Sequence, residues 1–76
     1  MEITQLYNIM AETTGSDLES LNNETILRDL DGWDSLAIVQ FLALVDEQLG
    51  ISVPARQING CATIADLYKL LKDKVG

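Results

Sequence analysis

The stretch GWDSLAIVQFLALVDEQLG, residues 32–50, decides how the rest of the chain is read. Ile38, Phe41, Leu42, Val45 and Leu49 recur at three- and four-residue steps, which predicts a helix from Ser35 to Leu49. Asp34 is placed to cap it, since a carboxylate just before the first turn can accept from backbone N–H groups there. Trp33, one residue earlier, is placed to meet Ile38 as a hydrophobic staple. Gly50 supplies the C′ residue that closes the helix, with Ile51 expected to fold back onto Val45.

Toward the N-terminus, Ile3, Leu6, Tyr7 and Met10 follow the spacing of an amphipathic helix, and Thr13, Thr14 and Gly15 are expected to break it. From Ser16 to Gly32 the chain is polar and acidic, yet Leu18, Leu21, Ile26, Leu27 and Leu30 recur through it. That pattern predicts a long connection lying against a core, with short helical turns of its own. Beyond residue 50, Pro54 starts a short helix running to about Asn59, which Gly60 closes. Thr63 opens the last helix, with Asp66 three residues on in a capping-box arrangement. Its apolar stripe is Ile64, Leu67, Tyr68, Leu71 and Val75; Lys69, Lys72 and Lys74 complement the dipole near its C-terminal end. No segment alternates with period two. The expectation is an all-α, small four-helix bundle, with three longer helices, one short helix and a long first loop, forming a single domain over residues 1–76.

Composition narrows the function. A chain of 76 residues has little room for an enclosed active site with a supporting shell. Histidine is absent and cysteine occurs once, at Cys61, so neither an internal disulfide framework nor a zinc-ligand spacing exists. Met1-Glu2-Ile3-Thr4 lacks the basic start of a secretory signal, and no apolar run approaches the roughly 20 residues that cross a bilayer. A cytoplasmic protein without a membrane span is the expectation. The net charge of −7 is unevenly placed: residues 1–35 carry eight carboxylates and only Arg28 as a base, whereas residues 36–76 balance four acids with four bases. Such a chain repels nucleic acid, whose binding rests on Lys and Arg, and prefers partners with basic surfaces. Acidity that merely keeps a small domain soluble explains the same balance.

The chemistry centres on Gly32-Trp33-Asp34-Ser35-Leu36, where the connection enters the second helix. Free N–H groups and the positive end of the helix dipole converge there and favour a phosphate ester on the serine. Gly32 removes bulk beside it. On the residues alone, an Asp-Ser pair at a helix start reads as a cap. Without histidine, nothing activates Ser35 as a nucleophile of the serine-hydrolase type, so a catalytic role is not expected and any modification must come from another enzyme.

Asp34-Ser35-Leu36 resembles the Asp-Ser-Leu signature of acyl carrier proteins. Asn22-Asn23 followed by Ile26-Leu27-Arg28-Asp29-Leu30 is similar to the loop that precedes that signature. Ser35 to Leu49, Val53-Pro54 and Thr63-Ile64 keep the family's spacing, so the resemblance covers essentially the whole chain. It implies 4′-phosphopantetheine attached covalently to Ser35, from coenzyme A, with Asp34 helping a phosphopantetheinyl transferase recognise the site. It further implies acyl or aminoacyl cargo held as thioesters, a loading ligase or acyltransferase, and a downstream synthase or transferase. The carrier itself is expected to be a monomer and not an enzyme, with apolar cargo sheltered between its helices.

Two departures from the family pattern matter. The loop is one residue longer before the signature, and Trp33 stands where many fatty-acid carriers have a small residue. The outward side of the second helix carries Leu36, Val39, Gln40, Ala43, Leu44 and Glu47 instead of a row of acids. With Trp33, the residues Leu36, Val39, Gln40, Ala43 and Glu47 are the expected partner-docking set, and an apolar patch there suggests a specialised biosynthetic pathway. A housekeeping fatty-acid carrier and an unmodified acidic interaction module are the alternatives. Cys61, with no flanking base or cation, reads as a small core residue.

Overall fold

The computed structural model describes residues 2–75, with the side chain of Val75 outside the described part. Four α-helices follow one another: α1 (Ile3–Thr14), α2 (Ser35–Leu49), α3 (Ala55–Asn59) and α4 (Ile64–Val75). Two 3₁₀ turns, Leu18–Ser20 and Leu27–Asp29, interrupt the long α1–α2 connection. Among the described residues there is no strand, only an isolated bridge between Ile26 and Thr63. The all-α expectation holds.

Each helix contributes its apolar face to one core. Leu6, Ile9 and Met10 of α1, Phe41 and Val45 of α2, Ile58 of α3, and Ile64, Leu67 and Leu71 of α4 are buried together. Ile9 lies outside the stripe read for the first helix, yet it is fully buried. α2 packs on both α1 and α3 and is the central element.

The helix ends follow the expected chemistry with small shifts. Thr13 and Thr14 do not break α1 but form its last turn; both hydroxyls donate to the carbonyl of Met10, at 3.1 and 2.7 Å. Gly15, at φ +74°, is the residue that ends the helix. Gly50 closes α2 at φ +69°, its N–H donating to the Asp46 carbonyl. At the start of α4, Asp66 Oδ2 accepts from the Ala62 and Thr63 amides while the Asp66 amide donates to Thr63 Oγ1.

The connection is fastened at both ends of its path. Leu21 and Leu27 are buried in the core. The backbone around Ile26 pairs with the entry to α4, Leu27 N–H to Ala62 O at 2.9 Å and Ile64 N–H to Thr25 O at 3.1 Å. Tyr7 Oη donates to Asn23 Oδ1 at 2.6 Å, tying α1 to the same segment. Leu18 and Ile26 depart from the expected core side, being 49% and 43% exposed. Ile26 is extended, so its side chain leaves the backbone opposite that of buried Leu27. Leu18 opens a short turn in which no residue is buried.

Gly32 also shapes the path of the connection. Its backbone is left-handed at φ +86°, and a Cβ there would lie 2.5 Å from the carbonyl oxygen of Thr14. The connection therefore returns against the end of α1 just before α2 begins. Cys61 is half-buried against the core, and burial, followed by the charge of Asp66, pushes its thiol pKa up.

Replacing Gly15 or Gly32 by alanine separates backbone strain from close approach. Gly15 has open space around it, so Gly15→Ala should cost only the left-handed strain, about 1–2 kcal/mol. Gly32→Ala should cost about 1–3 kcal/mol more, as overpacking adds to strain. Urea-unfolding midpoints measure the difference, and equal losses would remove Thr14 as a constraint. For Cys61, iodoacetamide at pH 8 should alkylate the folded chain several-fold more slowly than the urea-unfolded chain. The gap should narrow as pH rises and the folded thiol also ionises.

Candidate functional site

The site is built from the junction of the connection with α2. Asp34 is extended, at φ −132° and ψ −172°, and so stands outside the helix while its side chain turns back into it. Asp34 Oδ1 accepts from the Ala37 amide at 2.9 Å, and the Asp34 carbonyl accepts from the Ile38 amide at 2.9 Å. One residue thus satisfies two donors of the first turn.

Ser35 is the first residue of the helix and is exposed. Among the described residues no protein group hydrogen-bonds its hydroxyl. The helix dipole is positive here, and the amides of Ser35 and Leu36 lie ahead of the intrahelical ladder. A phosphodiester on this oxygen would project into solvent without entering the core, so the geometry fits such a group. The chain contains no histidine that could act as a base for this hydroxyl.

Trp33 is half-buried and packs against the core. Its ring meets Phe41 edge-to-face, with centroids 5.4 Å apart and planes at 78°. The expected staple partner, Ile38, is half-buried against the same core as Trp33. The Trp33 amide donates to the Leu30 carbonyl at 3.1 Å, closing the turn that leads into Gly32.

The other expected docking residues lie together on the outer side of α2. Leu36 and Val39 are 68% and 63% exposed, and Gln40, Ala43 and Glu47 are exposed with them. Leu44 does not belong to that face. It is half-buried against the core, and together with Gln40 and Ala43 it lines an open groove whose other side is Glu12 and Thr13 at the end of α1. A second open cleft, of about 450 Å³, lies between the connection and the α3–α4 turn, with Ile26, Arg28, Cys61 and Thr63 in its walls. Among the described residues no helix is long and apolar enough to cross a membrane.

Two site contacts escaped the sequence reading: Thr14 against Gly32 and Phe41 against Trp33. Both join residues that no local pattern links. The Ala37 amide on Asp34 is the expected cap, at the three-residue offset of an N-cap.

Comparison with known proteins agrees with this geometry. The family model described as "Phosphopantetheine attachment site" matches residues 4–71. An acyl carrier protein of Saccharopolyspora erythraea is 28% identical over 93% of this chain and 75% of its own length. A non-reducing polyketide synthase of Aspergillus terreus is 34% identical over 88% of this chain, and the bikaverin polyketide synthase of Gibberella fujikuroi 35% identical over 91%. The chain spans only 3% of each synthase's length. The chain belongs to the phosphopantetheine-attachment family of acyl carrier proteins, whose cofactor is 4′-phosphopantetheine held covalently.

Proposed function

We propose that Ser35 is the attachment point of the phosphopantetheine arm and that the whole chain acts as one non-catalytic carrier domain. The observation that carries this reading is the exposed hydroxyl on the first residue of α2, without a hydrogen-bond partner among the described residues and directly after a side-chain cap. A phosphopantetheinyl transferase reaches it from solvent, takes its proton and transfers the arm from coenzyme A. When bound, the arm supplies a terminal thiol that holds cargo as a thioester.

This chain's own residues position the arm and present it. Asp34 holds the first turn closed through the Ala37 amide and stands beside Ser35 as a recognition group for the transferase. Leu36, Val39, Gln40, Ala43 and Glu47 form the face that partners meet, among them a loading ligase or acyltransferase and a downstream synthase or transferase. The apolar centre of that face supports service in a specialised pathway. The reading is completed by a cytoplasmic location and a monomeric state. Likeness to an acyl carrier protein and to two polyketide synthases supports an acyl or polyketide cargo ahead of an aminoacyl one.

Intact mass after incubation with coenzyme A, magnesium and a broad-specificity transferase tests the attachment. The wild-type chain should gain one phosphopantetheine and Ser35→Ala none. A wild-type chain that stays unmodified with several transferases is an interaction module instead.

The docking face makes a separate prediction. Val39→Glu should leave stability within about 0.5 kcal/mol, as exposed substitutions do, yet slow loading of the arm by the partner enzyme. Wild-type loading should change little between low and moderate salt, because apolar contact is not screened. A collapse of loading with salt would show that charge governs recognition.

A further inference from the structure

We infer that Trp33 is a positioning residue for the modification of Ser35, acting through its contact with the buried ring of Phe41. The inference rests on Ser35 being the attachment point. Phe41 is fully buried and lies in the second turn of α2, beyond the reach of any partner. The edge contact at 5.4 Å therefore ties the residue two places before Ser35 to the interior of the same helix that Ser35 begins.

Trp33 is not held alone. Gly32, on its N-terminal side, lies against the Thr14 backbone of α1. Asp34, on its C-terminal side, holds the Ala37 amide. Three successive residues ahead of Ser35 are thus fixed by three different partners, and Trp33 is the middle one. The exposed apolar surface beside the site belongs to Leu36 and Val39, while the indole is half turned into the core.

The transfer is sensitive to such a hold. Ser35 Oγ attacks the coenzyme A phosphorus that bears the pantetheine arm. A new P–O bond forms as the bond to 3′,5′-ADP breaks, and the serine proton passes to a base on the transferase. Displacement at phosphorus requires the attacking and leaving oxygens near one line. A hydroxyl presented from a pre-ordered backbone reaches that line with less ordering cost than one on a loose loop.

A double-mutant cycle on transferase kcat/KM, with folding of each variant checked by circular dichroism, tests the inference. Trp33→Ala and Phe41→Leu should each lower kcat/KM about three- to tenfold, the range an aromatic edge contact can supply. The double variant should be no slower than the slower single one, because both remove the same contact. Trp33→Phe should stay within about twofold of wild type, since a ring edge is retained. Amide hydrogen exchange gives a readout independent of the transferase. The Ala37 amide, which reports the Asp34 cap, should exchange faster in Trp33→Ala.

Full-rate modification of Phe41→Leu alongside a slow Trp33→Ala, with losses that add in the double variant, would overturn the inference and place the indole in direct contact with the transferase. Unchanged Ala37 exchange in Trp33→Ala would overturn it as well, even where Phe41→Leu fails to fold. A wild-type chain that accepts no arm defeats the attachment reading alone, and the exchange experiment still decides whether Trp33 orders the cap.

Discussion

The structure depends on how the connection between α1 and α2 is held down. It is acidic and nearly devoid of α-helix, so its backbone polar groups cannot be satisfied by one long helical ladder. Burial of Leu21 and Leu27 supplies the apolar anchor, and pairing with the entry to α4 satisfies the backbone between them. Gly32 then brings the chain close to α1, and Trp33 seats its ring on Phe41. The Asp34 cap follows directly, so three successive residues before Ser35 each meet a different partner.

What emerges is one hydroxyl displayed on a rigid support, which suits a protein of this size. A 76-residue chain spends most of its large apolar residues on a single core. Carriage asks less of the fold than catalysis does. The reacting groups belong to the arm and to the partner enzymes, and the chain must present a point of attachment and a recognisable surface. The proposed attachment point, an exposed serine at a capped helix start, would meet the first demand. The proposed docking face on α2 carries Leu36 and Val39, two large apolar side chains left in water.

Charge plays a different part in each half. The acids of residues 1–35 leave the connection strongly negative, while the helices that follow are balanced. Asp29, Asp31 and Asp34 are exposed near the site, and Arg28 beside them is exposed too. This arrangement sets a long-range field that discourages polyanions.

Much of the architecture was legible without coordinates, because helices announce themselves locally. The stripe Phe41, Val45, Leu49, the Asp34 cap, Gly50 as the closing residue and the Thr63–Asp66 capping box all depend on spacings of a few residues. Ser35 as the exposed first residue of a helix follows from the same local rules. The connection was legible only in outline, since its leucines and isoleucines have no period to say which face inward; Leu27 is buried while its neighbour Ile26 is not. Leu44 looked outward on α2 until the end of α1 was laid beside it. Gly32 and Trp33 show the division most sharply. A sequence displays that a glycine and a tryptophan precede the cap, but their partners, Thr14 and Phe41, belong to helices whose meeting is set by core packing. Local hydrogen bonding and periodicity thus determined where the helices start and stop, whereas burial of a shared core, a property of all the helices at once, decided what holds the serine in place.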